Sequence, residues 1–258
     1  MQKLEEGDIR IQPTSFPWRS IQRASVSRYG MVSTAHHRAT EIGIRVLEEG
    51  GNAIDAAVAC AFALGVCEPA ASGLGGQTMM LVYHAPSRQK VALDGSSRAP
   101  YAAAPGSLKR AEIRRGHRAS TVPSTPAVLA YALENYGTRE LSAILDPVVQ
   151  LAENGYKVSP LQRALTRRER PQLKKTSAAR FFLVEGSKSP PIGHKLCQPA
   201  LAETLRRIGR DGVEDFYTGS IARAIVDDME QNDGLIKAED LAQIPWPIER
   251  RPITGYLG

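Results

Sequence analysis

The sequence predicts an α+β fold, and three observations predict it. Residues 30–100 read as two helices joined by a glycine turn and followed by a β-hairpin, with almost nothing inserted between them. Beyond residue 120 the chain is helix-rich, its apolar residues recurring at three- and four-residue intervals. Strands and helices do not alternate, so the βαβ rhythm of a doubly wound parallel sheet is missing. At 258 residues, 42% of them hydrophobic, the chain is long enough for one sizeable core. No internal repeat is visible.

In the first helix Ile42, Val46 and Leu47 follow helical spacing, with Glu41, Arg45, Glu48 and Glu49 on the other side. Gly50 and Gly51 suit the left-handed position that ends a helix. Asn52 is a natural N-cap for the next one, and Asp55 falls three residues on, at the positive end of the helix dipole. Residues 53–66 (AIDAAVACAFALGV) are small or apolar on every face, which places them in an interior. Their alanines allow close backbone approach and predict a helix packed directly on a sheet. The run is short for a membrane span and contains Asp55; Pro69 stops it. The cluster SGLGGQ at 72–77 reads either as a turn needing positive φ or as backbone kept bare for a substrate or partner chain. Residues 78–84 and 90–93 read as strands, with 85–89 the turn between them.

Residues 120–127 form a proline-broken connection to a short helix over 128–136, ended by Gly137. Thr138 is the expected N-cap of a helix running to about Asn154, closed by Gly155. Ser159 and Pro160 open a further helix through about Arg168. Residues 181–185 read as a short extended piece, before a loop holding Pro190, Pro191 and Gly193. Leu201, Leu205 and Ile208 mark one amphipathic helix, and Ile221, Ile225 and Met229 mark another. Between them residues 212–219 form a turn with a helical piece; residues 237–242 add one more turn, and the chain is extended from Glu249.

Charge and cysteine content narrow the function classes. The net charge is +6, with basic runs at 109–118 and 163–175. No aromatic interleaving or recognised binding motif accompanies them, so they read as solvated faces and no nucleic-acid partner is expected. The three cysteines lack metal-ligand spacing, and Cys60 and Cys67 lie on one helix face as buried thiols. His36 and His37 have no third ligand nearby and read as helix-start packing, so neither a metal nor a cofactor is expected. No apolar run reaches membrane length, and residues 1–29 lack the apolar core of a secretory signal, which favours the cytoplasm. They read as an N-terminal arm pinned by Pro13, Phe16, Pro17 and Trp18, with one domain over 30–258.

The series GMVSTAH, GGNAIDAAVA, GLGG, LDGSSRAP, YALENYGTREL, VVQLAENGYKVS, EDFYTGSIARAIVDDMEQNDGLIKAEDLA and ERRPITGYLG resembles the γ-glutamyltranspeptidase family over most of the chain, in the family's order and spacing. The resemblance implies the αββα sandwich of N-terminal nucleophile hydrolases, of which this chain is the large-subunit part. There a precursor is cut into two subunits, and a threonine that begins the small one attacks the γ-glutamyl amide, its free amine serving as base. Backbone N–H groups hold the oxyanion, and water or an acceptor amine takes the acyl group. No threonine here stands in the family's doubled-threonine context, so the sequence itself offers no catalytic residue. The expected partner is a nucleophile-bearing small-subunit-like chain, without which this one is inactive. The expected substrate is glutathione or another γ-glutamyl or acyl amide. A large-subunit half should also expose a sheet, through which the chain can self-associate.

The resemblance also locates a substrate contact. In the family an arginine after the hairpin grips the substrate α-carboxylate, a task suited to a forked guanidinium. Asp94 and Ala99-Pro100 set a register that puts Ser96 at that position and Arg98 two places on. A shift of two keeps a side chain on the same face of an extended segment, about 7 Å along. Ser96 and Arg98 are therefore the candidate substrate-binding residues; the other reading of Arg98 is an ion pair at a surface or interface. Two more departures place side chains where the family mostly has bare glycine: Gln77 after Gly75-Gly76, and Ser124 and Val128 around Pro126. These favour a divergent member, transpeptidase-like or acylase-like. A glutaryl- or cephalosporin-type acylase is the alternative, and a non-catalytic binding or assembly module is the third reading.

Overall fold

Burial of the 53–66 run organises the computed structural model, which describes residues 26–177 and 179–253. By its internal contacts the chain divides into Met1–Met31 and Val32–Gly258. In the first unit Ser27 Oγ accepts from the N–H groups of Tyr29 and Gly30, at 3.2 and 3.4 Å. The expected anchors Pro13, Phe16, Pro17 and Trp18 lie outside the described residues. The second unit carries all the elements that follow.

Helices α1 (His37–Glu48) and α2 (Ala53–Cys67) form an antiparallel pair. Gly50 takes φ 86°, the left-handed turn its position predicted. A Cβ added at Gly51 would lie 2.7 Å from Val46 Cγ1, so this close approach demands glycine. Asn52 caps α2 as expected: its Oδ1 accepts from Ile54 N and Asp55 N, and Asp55 Oδ2 accepts from Asn52 N at 2.7 Å. Cys60 and Cys67 are buried, again as expected.

The expectation that α2 packs directly on a sheet is corrected. Its main neighbours are α1, α3 (Thr125–Tyr136) and α4 (Leu141–Asn154), and α3 is the helix that covers the sheet. An all-apolar surface requires burial on every side, and surrounding helices supply it without a strand.

The sheet has strand order β1 (Thr78–His84), β2 (Gln89–Gly95), β5 (Ile248–Arg250), antiparallel throughout. The second strand is longer at both ends than the expected 90–93, because Gln89 pairs with His84 and Gly95 with Thr78. Val82, Val91, Leu93 and Gly95 are buried on the side of α3. On the opposite side Met79, Leu81 and Tyr83 are 65%, 73% and 62% exposed, and Ile248 is 58% exposed. Period-two alternation thus gives the sheet one covered apolar face and one open face, on which Met79, Leu81, Tyr83 and Ile248 stand beside Lys90, Asp94 and Arg250.

Four further expectations change. The helix expected from residue 128 begins at Thr125, with Pro126 in its first turn. Thr138 does not cap α4; its N–H and Oγ1 donate to Asp55 at 2.8 and 2.6 Å, and Glu140 occupies the N-cap position. Residues 181–185 are not one extended piece: a four-residue helix, α6 (Ala179–Phe182), is followed by a bridge between Val184 and Lys188. The helix opened by Ser159-Pro160, α5 (Pro160–Leu173), runs on past Arg168 through Pro171. The remaining elements are β3 (Tyr156–Lys157) paired with β4 (Lys195–Leu196), α7 (Pro199–Asp211), α8 (Glu214–Tyr217), α9 (Ser220–Gln231) and α10 (Ala238–Ala242). The two basic runs meet across an Arg115–Glu169 ion pair at 2.8 Å, and Arg118 pairs with Glu112 and Asp233.

Candidate functional site

Because Thr78 pairs with Gly95, the glycine turn before β1 and the segment after β2 emerge side by side at one end of the sheet. Gln77 bridges them: its Oε1 accepts from Ser97 N at 3.0 Å and Ser97 Oγ at 3.2 Å. Thr121 Oγ1 donates to Ser97 Oγ at 3.0 Å, and Val122 N donates to Arg98 O at 2.9 Å. The start of α3 closes on the same turn, since Ser124 N and Thr125 N both donate to Gly76 O. Ser124 Oγ donates to Gly95 O, and the Thr78 and Thr125 hydroxyls share a hydrogen bond of 3.0 Å. A Cβ at Gly95 would collide with Val128 Cγ2. Three side chains hold this end of the sheet: Gln77 joins two turns, and Ser124 and Val128 fasten α3 to β2.

Ser96 is exposed, and its hydroxyl donates to Asp94 Oδ1 at 2.7 Å. Arg250 Nε holds the other carboxylate oxygen at 3.0 Å. The Ser96 side-chain and backbone bonds, followed by Arg250, hold the Asp94 carboxyl below the usual carboxylate range. Arg98 reaches in the other direction: its Nη2 donates to Asp240 O at 2.7 Å and to Gln243 O, and its Nε is buried without a partner. Asp240 is 1% exposed and accepts from Tyr101 N and Lys237 N, both at 2.8 Å. Arg98 thereby ties the segment after β2 to the end of α10. The two predicted substrate-binding residues share one segment, but their side chains engage different neighbours.

Gln77, Ser97 and Thr121 belong to this constellation and are not among the residues singled out for binding. Gln77 carried a signal, as the side chain directly after Gly75-Gly76. Ser97 and Thr121 carried none, because they meet only once the strands have paired.

The two histidines stand apart from it. His36 caps α1, its Nδ1 accepting from Arg38 N at 3.2 Å, and its ring stacks on His37 and meets the edge of Tyr156. Burial, followed by the charges of His37 and Arg38, lowers its pKa. Among the described residues no group of three or more His, Cys, Asp or Glu side chains is placed to hold a metal ion. No helix among them is long and apolar enough to cross a membrane.

Fold and site together define an α+β scaffold with hydroxyl and amide side chains gathered around a glycine turn at the end of a helix-backed sheet. The chain belongs to the gamma-glutamyltranspeptidase family, whose model matches residues 39–257. It is 35% identical to the glutathione hydrolase proenzyme of Bacillus subtilis over 92% of this chain and 42% of that protein. It is 36% identical to the acylase ACY 1 proenzyme of a Pseudomonas strain, over 91% of this chain and 44% of that one. The crystal structure of Helicobacter pylori gamma-glutamyltranspeptidase superposes with a TM-score of 0.86 and 37% identity, covering 90% of this chain and 68% of the other. The chain thus spans less than half the length of these curated relatives and corresponds to their large-subunit-like part.

Proposed function

We propose that this chain is the large-subunit part of an amidohydrolase that hydrolyses or transfers the γ-glutamyl group of glutathione and related amides. The nucleophilic threonine comes from a small-subunit-like chain whose strands complete an αββα sandwich, with residues 30–258 as the scaffold domain. The observation that carries this reading is the uncovered sheet face of Met79, Leu81, Tyr83 and Ile248. Large apolar side chains exposed on one face of a β-sheet mark a surface for another layer of structure. The proenzyme names of the relatives support the same division.

In the completed enzyme the Gly75-Gly76 turn lies beside the acyl-binding segment, in which Ser96 is exposed at the substrate side and Arg98 holds the segment against α10. Hydrolysis then follows the resemblance: the threonine oxygen attacks the amide carbon, the amine leaves with a proton, and water releases the acid. A second reading, an acylase for another acyl group, is favoured by one observation. Where a carboxylate-gripping arginine would stand, Ser96 is bonded to Asp94, and Arg98 Nη2 is occupied by two backbone carbonyls.

Purified chain, alone and mixed with a nucleophile-bearing small-subunit chain, is to be assayed on γ-glutamyl- and glutaryl-p-nitroanilide. Release of nitroaniline from the γ-glutamyl compound by the mixture alone is the expected result. Cleavage of only the glutaryl compound selects the acylase. A mixture that forms a complex and cleaves neither rules out both.

A further inference from the structure

We infer that Arg250 on β5 is the residue that binds the substrate carboxylate and so selects the acyl group. This deepens the amide-hydrolase reading and rests on it. A γ-glutamyl or glutaryl amide carries a carboxylate at the far end of its acyl chain from the bond that is cut. Taking that anion out of water requires a cation to meet it.

The segment after β2 does not itself supply one. Ser96 is uncharged, and its hydroxyl is given to Asp94 Oδ1. Arg98 turns away to α10, where Nη2 donates to the Asp240 and Gln243 carbonyls and Nε is buried. Both Nη2 protons are thus spent, so no edge of this guanidinium offers a carboxylate two free donors.

Arg250 arrives from the neighbouring strand. It stands opposite Ala92, and its Nε reaches diagonally to Asp94 Oδ2 at 3.0 Å. Asp94 Oδ1 accepts from Ser96 N and Ser96 Oγ, at 3.2 and 2.7 Å. Ser96 and Arg250 therefore sit on the two oxygens of one carboxylate. Among the described residues Arg250 is the only cation bonded to residues 94–97 from outside that segment. Asp94 takes Nε alone. Nη1 and Nη2, the end of the fork, have no hydrogen-bond partner among the described residues, and the side chain is 59% exposed. Such an edge can donate to both oxygens of a carboxylate. Ser96 holds Asp94, and Asp94 sets the direction in which that edge points. Arg250 also shares the open sheet face with Ile248, so a layer laid over this face would exclude water and strengthen its hold on an anion.

The assembled enzyme is assayed on γ-glutamyl-p-nitroanilide and on 4-aminobutanoyl-p-nitroanilide, which differs only in lacking the carboxylate. Glutaryl- and butanoyl-p-nitroanilide form the matching pair if glutaryl is the compound cleaved. Wild type should prefer the carboxylate-bearing member. Arg250→Gln should raise the KM of that member by about tenfold or more with kcat little changed, which erases the preference. Arg250→Lys keeps the charge without the fork and should recover part of the loss. Arg98→Gln should lower turnover of both members and keep their ratio. If Arg250→Gln fails to fold, the ratio measured in Arg250→Lys decides, and it should fall between wild type and unity. No preference in wild type, an unchanged ratio in the Arg250 variants, or loss of the preference in Arg98→Gln instead overturns the assignment while leaving the hydrolase. A wild-type assembly that cleaves no member of either pair overturns the hydrolase reading and this assignment with it.

Discussion

Asp55 is fully buried and accepts four hydrogen bonds: from Asn52 N, Thr138 N, Thr138 Oγ1 and Arg139 N. It joins the start of α2 to the turn between α3 and α4. Burial alone would raise its pKa; the bonds from Thr138, Asn52 and Arg139 outweigh that and lower it. Asp55→Ala strands buried N–H groups and should lower unfolding free energy by about 3 kcal/mol, read from urea denaturation. A depressed folded-state pKa contributes stability that is present above the unfolded value and lost as pH falls through the folded one. The stability gap between wild type and Asp55→Asn should therefore shrink below about pH 4. The cysteines give a second residue-level test. Burial pushes the Cys60 thiol up to about 11 and the Cys67 thiol up to about 12, whereas Cys197 is exposed. At pH 8 both buried thiols are protonated and enclosed, so Ellman's reagent should titrate one thiol in the native chain and three in denaturant. The burial of Cys60 and Cys67 was legible in sequence from their place on an all-apolar helix. The partners of Asp55 were legible only in part: Asn52 is three residues away, but Thr138 is brought to it by tertiary packing.

Among the elements, α3 holds the sheet and the site together. Its start donates two N–H groups to Gly76 O, and Ser124 Oγ reaches Gly95 O. Its outer tyrosines, Tyr131 and Tyr136, donate to Glu249 on β5. Val128 lies where a side chain at position 95 would have to go. Gly95→Ala should therefore separate α3 from β2 at a cost of about 2 kcal/mol, visible as a lower urea midpoint. Helix existence was legible from apolar spacing and capping residues, as at Asn52 and Ser159. The hairpin was legible from alternation in 78–84 and the polar turn after it. What could not be read was which helix faces the sheet, because α2 and α3 are both rich in small apolar residues and spacing does not name a neighbour.

On the scale of the molecule, the helical side of the sheet is closed and the other side is open. Leu81 and Tyr83 project from β1 at 73% and 62% exposure, and among the described residues β1 pairs only with β2. Such a face and edge invite association. The chain alone should show concentration-dependent sedimentation, and the double variant Leu81→Lys, Tyr83→Lys should sediment as a monomer. Its thermal midpoint should stay near that of wild type, since both side chains already stand in water. A wild-type chain that sediments as a monomer at all concentrations contradicts this expectation.

The sequence by itself determined the family, the α+β class and the helix caps at Asn52 and Ser159. Each of these depends on neighbours within a few residues or on motifs kept in order along the chain. Tertiary structure alone decided that Ser96 turns to Asp94, that Arg98 anchors the end of α10, and that Gln77, Ser97 and Thr121 join at one end of the sheet. Those contacts form between segments far apart in sequence, where side-chain direction follows from strand register and helix packing rather than from local pattern.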